Sequence, residues 1–569
     1  MKIRIFWSSF WRLFKGYWLS PDKKAALSLL AAVVILTAGV VYLAVLFNLW
    51  KNAFFTAVQN YDSKAMLSEL WRFTWLAAID ITVAIYIYYL EQTLALRWRR
   101  WLTEHLIDRW TAGNNYYHLQ IFDGRLDNPD QRISEDVKLF VDLTMKFTIK
   151  LLEAVAIFVC FVAILWELSG IVSFQLMGVD FHLPGYIVWA VFIYVGLGTW
   201  LTHLAGRKLI GYNVDQQRYE ADFRFSMMRI RENAESVAFY SGGSDEGRGL
   251  KKRVHRLVEN FKKIIHLEKR MTGIKEGYFQ ITQIVSVLVA VPRYMSHHIN
   301  LGGLMQAGSA FARLHRSLSF IVELYAEFAE WWAVIRRLDG FDQAILKTET
   351  HRPESNLTRR ESINLEARNL CMDLPDGSNL LRDLNFRFAP GENVLIQGPN
   401  GSGKSTLLRA LAGIWPLASG EILSPPLERM MFVAQRNYLP LGSLRYILLY
   451  PGGVQKSDQQ LAEGLGLCGL GHLAKNLDQE ADWHQVFSPG EQQRLAMVRA
   501  FLHQPAWLFL DESTSAMDED SEQSLYLLLA EKMPGTTVIS IGHRSTLAQF
   551  HSKELWLNRR ASKPVTDRL

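Results

Sequence analysis

The residues whose types and spacing could do chemistry lie in the last third of the chain. Gly398-Pro399-Asn400-Gly401-Ser402-Gly403-Lys404-Ser405-Thr406 follows the apolar run Val394-Leu395-Ile396 and precedes Leu407-Leu408-Arg409-Ala410-Leu411. Strand, glycine-rich turn and helix in that order are the setting of a phosphate-binding loop. The glycines let backbone N–H groups curl around a polyphosphate, and the new helix aims the positive end of its dipole at the same anion. In such a loop Lys404 reaches the β/γ-phosphates and the Ser405 hydroxyl ligates Mg²⁺. Further on, Trp507-Leu508-Phe509-Leu510 is an apolar strand ending in Asp511-Glu512. The first carboxylate suits a metal ion, the second a polarised attacking water in phosphoryl transfer.

A strand ending in two carboxylates says little alone. Its companions are Gln435, Phe487-Ser488-Pro489-Gly490-Glu491-Gln492-Gln493-Arg494, Ser515-Ala516-Met517-Asp518 and Ile541-Gly542-His543-Arg544. In this order and spacing they closely resemble the ATP-binding-cassette (ABC) family. The resemblance implies ATP and Mg²⁺ as ligands and ATP hydrolysis as the activity. It implies Glu512, His543 and Gln435 as hydrolytic residues, and Ser405, Gln435 and Asp511 around the metal. It also implies that Ser488, Gly490 and Glu491 cap the ATP of a second copy, with Asp518 coupling the two sites. The working unit is then a homodimer. Two departures stand out. Pro489 replaces the usual glycine and removes a backbone donor. No aromatic residue lies between 352 and 385 to stack on adenine.

Elements must position this machinery, and the composition names the rest of the chain. The 569 residues exceed one core, so two or more domains are expected. Half of the composition is hydrophobic (49%), with 18 Trp, although the cassette carries a full complement of charge. Runs of about 20 apolar residues, the length a bilayer core demands, fall near 25–48, 73–93, 147–166, 185–204, 276–297 and 301–322. The net charge of +6 does not point to nucleic acid. Lys and Arg cluster beside alternate spans, while 167–184 contains neither, which puts both termini in the cytoplasm. Three distant cysteines form no disulfide or zinc framework.

The expected organisation is an interfacial amphipathic helix over 1–24, a six-span α-helical domain over 25–342, a linker over 343–361 and an α/β nucleotide-binding domain over 362–569. By resemblance this is a type I exporter-like half-transporter forming a domain-swapped dimer. Arg231 to Tyr240, Asn128-Pro129-Asp130-Gln131-Arg132 and Leu301 to Ala307 resemble subfamily D and its bacterial SbmA/BacA-like relatives. That implies a bulky amphipathic cargo (peptide, corrinoid or acyl-CoA/lipid) in a bacterial inner membrane surrounded by lipid. In the sixth span Arg313 and Arg316 share one helical face, and Glu323, Glu327 and Glu330 another. Charges at membrane depth face a cavity or each other, so Arg313, Arg316, Asp80 and Glu153 are the candidate cargo contacts. The competing class is a membrane-anchored ATPase that regulates through a partner and carries nothing.

Overall fold

The computed structural model describes residues 2–122, 128–176, 179–350, 357–452, 455–558 and 566–567. They divide into two compact units, Met1–Asp108 with Asn128–Asp342, and Arg109–Asp127 with Gln343–Leu569.

The first unit is helical. Its helices are α1 (Lys2–Trp18), α2 (Lys23–Gln59), α3 (Ser63–Thr111, continuing into the second unit) and, after the segment counted with the second unit, α5 (Val137–Ser169). A hairpin of β1 (Ile171–Leu176) and β2 (Val179–Pro184) then leads to α6 (Tyr186–Gly206), α7 (Leu209–Glu232), α8 (Gly243–Leu288), α9 (Leu301–Glu323) and α10 (Tyr325–Thr350). Among the described residues four helical stretches are long and apolar enough to cross a membrane, and they contain the first four expected spans. The fifth, 276–297, is not one helix. Helix α8 stops at Leu288, and a separate turn, Val291–Met295, starts around Pro292, which has no N–H to continue the ladder. The sixth coincides with α9. Leu304, Ala307, Ala310, Phe311 and Leu314 are fully or almost fully buried against Phe161, Leu165, Ile187 and Val191. Protein covers its apolar stripe and its other face is charged, so hydropathy alone passes over it.

Helices α2 and α9 approach closely. Asn48 donates to the Gln306 carbonyl (3.0 Å) and Ser309 Oγ (2.7 Å), Asn52 to Gln306 Oε1 (2.5 Å), and Asn300 to Thr56 Oγ1 (2.8 Å). Gly302 is required there because a Cβ would overlap the Asn52 carbonyl.

The aromatic face of α1, expected to meet lipid, is buried on protein instead. Phe6 stacks on Trp332 at 3.9 Å, Phe10 lies edge-on to Trp331, and Tyr17 stacks on Trp98. Ser9 and Arg12 both reach Asp339, at 2.7 and 3.2 Å. Trp7 and Trp11 remain exposed on the outer side. Arg132, in the 128–132 phrase, and Arg337 of α10 converge on the buried carboxylate of Asp136.

In the second unit, residues 343–350 complete α10, 351–356 lie outside the described residues, and 357–361 are a strand. The order β3-β7-β4-β5 forms one sheet from Leu357–Glu361, Ala418–Ser424, Leu365–Asp373 and Asn379–Phe388. A second sheet has the order β12-β11-β6-β10-β9-β8, with β6 (Val394–Gln397), β8 (Met430–Val433), β9 (Trp507–Asp511), β10 (Thr537–Ile541) and β11 (Lys553–Trp556) parallel and β12 (Thr566–Asp567) antiparallel. Strands β9 and β10 are almost wholly buried apolar runs, as parallel strands covered on both faces must be. Segment 109–127 belongs here. Its helix α4 (Asn115–Phe122) packs Ile121 on the core, Arg109 pairs with Glu349 (3.1 Å), and Thr348 donates to Asn115 Oδ1 (3.2 Å).

Candidate ATP site

Register explains why residues far apart in sequence meet. Asp511 pairs with Ile541 and Leu510 with Val433, so Glu512, His543 and Gln435 stand just beyond the ends of three adjacent parallel strands. Strand β6, next to β10, delivers the phosphate loop to the same edge. Ligands of open α/β sheets bind at this carboxyl edge.

Glu512 is the centre. Its backbone takes a left-handed conformation (φ 48°), held by its N–H on the Ile541 carbonyl at 3.1 Å. Such a conformation strains a residue bearing a Cβ and recurs at functional sites. The Glu512 carboxylate accepts from Gln435 Nε2 (2.8 Å) and stands 3.4 Å from His543 Nε2. Beside it, Ser405 Oγ donates to Asp511 Oδ1 at 3.0 Å. Burial pushes the Asp511 carboxyl above its ordinary range, while Ser405 opposes the shift.

The loop itself is a cradle. Gly398, Gly401 and Gly403 all have positive φ, and a Cβ at Gly398 would overlap the Leu557 carbonyl. Helix α11 (Lys404–Leu411) starts directly behind it. Lys404 Nζ donates to the carbonyls of Gly398 (2.8 Å) and Pro399 (3.1 Å), and burial lowers its pKa. Ser402 is 3% exposed, and its hydroxyl finds no partner among the described residues. A buried ammonium turned onto backbone carbonyls and an unmatched hydroxyl in a glycine cradle fit a polyphosphate. Asn400 lies in the turn and Thr406 in the first turn of α11.

Pro489 removes nothing that the fold uses. It is the first residue of helix α12 (Pro489–His503), where the missing N–H would be unpaired anyway and the fixed φ suits the helix. Ser488 caps that helix and Glu491 closes the capping box on the Ser488 N–H (2.9 Å) and hydroxyl (2.7 Å), bonds that hold its carboxyl below the usual range. Gly490 is the next helical residue. Asp518 accepts from the Ser521 N–H at 2.6 Å and so caps the helix Glu519–Lys532. Gln493, which sequence reasoning assigned no role, ties the two segments together. Its Oε1 accepts from the Ala516 N–H at 3.0 Å. Arg409 was also missed: from the end of α11 its charge acts on both Asp511 and Tyr117 of α4. Both lie inside stretches already singled out, but only tertiary placement reveals their contacts.

Comparison with known proteins accounts for both units. Residues 13–295 match the family described as ABC transporter transmembrane region 2, and 381–515 the family described as ABC transporter. The inner membrane ABC transporter ATP-binding protein YddA of Escherichia coli K12 is 32% identical over 94% of each chain. ABC transporter D family member 2, chloroplastic, of Arabidopsis thaliana is 31% identical over 98% of this chain and 87% of that one. The chain belongs to the ABC transporter family. It is a membrane transporter whose ATPase domain drives transport, with subfamily D among its relatives. A bacterial Atm1-family ABC exporter solved with ATP bound shares the fold (TM-score 0.74, 17% identity, 96% of each chain).

Two further features lie in the transporter's membrane unit. A cavity of about 210 Å³ brings Arg313, Arg316 and Ser317 of α9 against Lys150 and Glu153 of α5. Glu153 pairs with Lys150 at 2.9 Å, and Asp80 lies close enough for its charge to act on Arg313. Of the four predicted residues, Arg313, Arg316 and Glu153 line this cavity together, and Asp80 is not part of its lining. Of the glutamates, Glu327 pairs with Lys146 at 2.6 Å and the Glu323 side chain lies outside the described residues. The second feature is the tip joining α7 to α8. Its short helix Ala234–Phe239 leaves Phe239 and Tyr240 81% and 87% exposed.

Proposed function

We propose that the transporter works as a homodimer by alternating access, carrying a bulky amphipathic molecule with an anionic group. The observation that carries this reading is the bare aromatic tip, Phe239 and Tyr240, at the end of two long helices. Large apolar side chains exposed side by side mark an interaction site, and the cassette of a second copy is the cover this reading assigns. The anionic cargo is supported by a cavity wall with three cations, Lys150, Arg313 and Arg316, against the single carboxylate of Glu153.

In the cassette, Lys404 turns from the loop carbonyls to the β/γ-phosphates. Ser405, Asp511 and Gln435 would hold Mg²⁺, which supplies neutralisation of phosphate charge. Glu512 polarises the attacking water, and His543 orients it. From the second copy Ser488, Gly490 and Glu491 present a helix N-terminus to the γ-phosphate, and Asp518 links the sites. The inner-membrane name of the Escherichia coli relative supports a bacterial inner membrane, and the basic loops support cytoplasmic termini.

The test is accumulation of a labelled acyl-CoA, a corrinoid and a proline-rich peptide in vesicles. Glu512→Gln should stop accumulation and turnover while ATP still binds. Arg313→Gln with Arg316→Gln should remove transport of the anionic cargo and leave ATP hydrolysis in place. Anionic transport that survives the double substitution sinks the cavity assignment. A protein that stays monomeric in lipid with ATP trapped sinks the dimer. Turnover indifferent to all three molecules, with no accumulation, would favour an ATPase acting through a partner.

A further inference from the structure

Helix α6 ends at Gly206 and the chain turns basic at Arg207-Lys208 before α7. There α7 runs beside α8, locked by Asn260, which donates to the Tyr212 carbonyl (2.8 Å) and Gln216 Oε1 (3.0 Å). Asn260 and Gln216 are both buried, so the spacing of the two helices is built in. Beside this tie lies a cavity of about 380 Å³ lined by Tyr212 and by the charged or titratable Lys208, Glu259, Lys262, Lys263, His266 and Arg270. The α8 members recur three or four residues apart, which makes one helical face. Four permanent cations meet one carboxylate, and Glu259 is already engaged with Lys262 at 3.3 Å. Among the described residues no acidic group pairs with Lys208, Lys263 or Arg270.

Depth can be measured along the helices. Tyr278 of α8 donates to the Tyr194 carbonyl of α6 at 2.9 Å. At 1.5 Å per residue, Gly206 lies about 18 Å along α6 from that contact, while Arg270 and Lys263 lie about 12 and 22 Å along α8. The cations therefore straddle the level at which the chain leaves its apolar span, the level of lipid phosphates.

We propose that this groove binds the phosphodiester headgroup of an anionic lipid. The Arg270 guanidinium offers a two-pronged donor to phosphate oxygens and the lysines offer point charges. Without an anion the like charges would only repel. Placing the lipid in the cytoplasmic leaflet uses the orientation argued above, but binding does not, because it is measured in detergent.

The full-length transporter, stripped of lipid in neutral detergent, is titrated with phosphatidylglycerol or phosphatidylcholine of identical chains, and bound lipid is counted by native mass spectrometry. The expected result is phosphatidylglycerol bound at least about tenfold more tightly, since each groove cation contributes to headgroup attraction. That preference should disappear in Lys208→Gln/Lys263→Gln/Arg270→Gln, and also in Lys263→Glu alone. It should persist in Arg224→Gln/Lys251→Gln/Lys269→Gln, which removes equal charge outside the cavity. Equimolar inorganic phosphate should not displace the lipid. No headgroup preference, equal loss in the two triple variants, or displacement by phosphate would overturn the assignment.

Discussion

Replacing Asp136 by alanine is the sharpest test of how the membrane unit is held together. The Asp136 carboxylate is 2% exposed and accepts from Arg132 Nη1 at 2.7 Å, Arg337 Nε at 2.9 Å and Arg337 Nη2 at 2.6 Å. Alanine removes three charge-assisted bonds and strands two guanidiniums. Breaking a buried pair from one side costs about 3–5 kcal/mol. Arg337 is 38% exposed and partly rehydrates, so about 2–4 kcal/mol is expected here. Thermal and denaturant unfolding in detergent, followed by tryptophan fluorescence, reads the loss. A cycle with Arg337→Ala isolates the pair. The double variant should be less destabilised than the sum of the singles by at least about 1 kcal/mol. ATP affinity should not change, because Asp136 lies in the other unit. An Asp136→Ala protein within about 0.5 kcal/mol of wild type, or strictly additive effects, would refute the reasoning.

Gly398→Ala should abolish ATP binding, because its Cβ has no room beside the Leu557 carbonyl; equilibrium binding of a fluorescent ATP analogue checks it. Phe6→Ala or Phe10→Ala should each cost about 3–4 kcal/mol as buried aromatics, visible as earlier unfolding; unchanged stability would mean that α1 is held by lipid alone. Ser488→Ala should cost about 1 kcal/mol as a lost cap. Since the Ser488 hydroxyl also lowers the Glu491 carboxyl, the part of the deficit from that bond should be full above the ordinary carboxylate range and fade as pH falls through the lowered value, while the part from the Glu491 N–H on Ser488 Oγ persists, as unfolding at neutral and acid pH would show.

What could be read from sequence divides along physical lines. Phosphate loop, carboxylate pair and His543 were legible because each is a local pattern fixed by what a turn or strand end can present. Their convergence was implied only by the resemblance, and it is the parallel register of the structure that sends Gln435, Glu512 and His543 to one edge. Helix α1 showed its apolar face but not what covers it, because amphipathicity does not distinguish lipid from Trp98 and Trp331. The last two spans differ from simple apolar helices in opposite ways. The apolar stretch around Pro292 hid a broken helix, and α9 is buried by protein on one side and charged on the other. Partners such as Asp136 and Arg337, 201 residues apart, leave no trace in either neighbourhood. Pro489 sits in the first turn of its helix, where the fold itself needs no N–H from it.

The cassette counts among its own parts a short piece of chain, 109–127, that the ribosome makes long before the rest of it. Ile121 from that piece packs, partly buried, against the cassette core. A motor domain excised at Gln343 is thus missing a tile, and its raw apolar socket should make it sticky in solution. Supplying the 109–127 peptide separately would reseal it, which gives a route to handling the engine apart from the membrane.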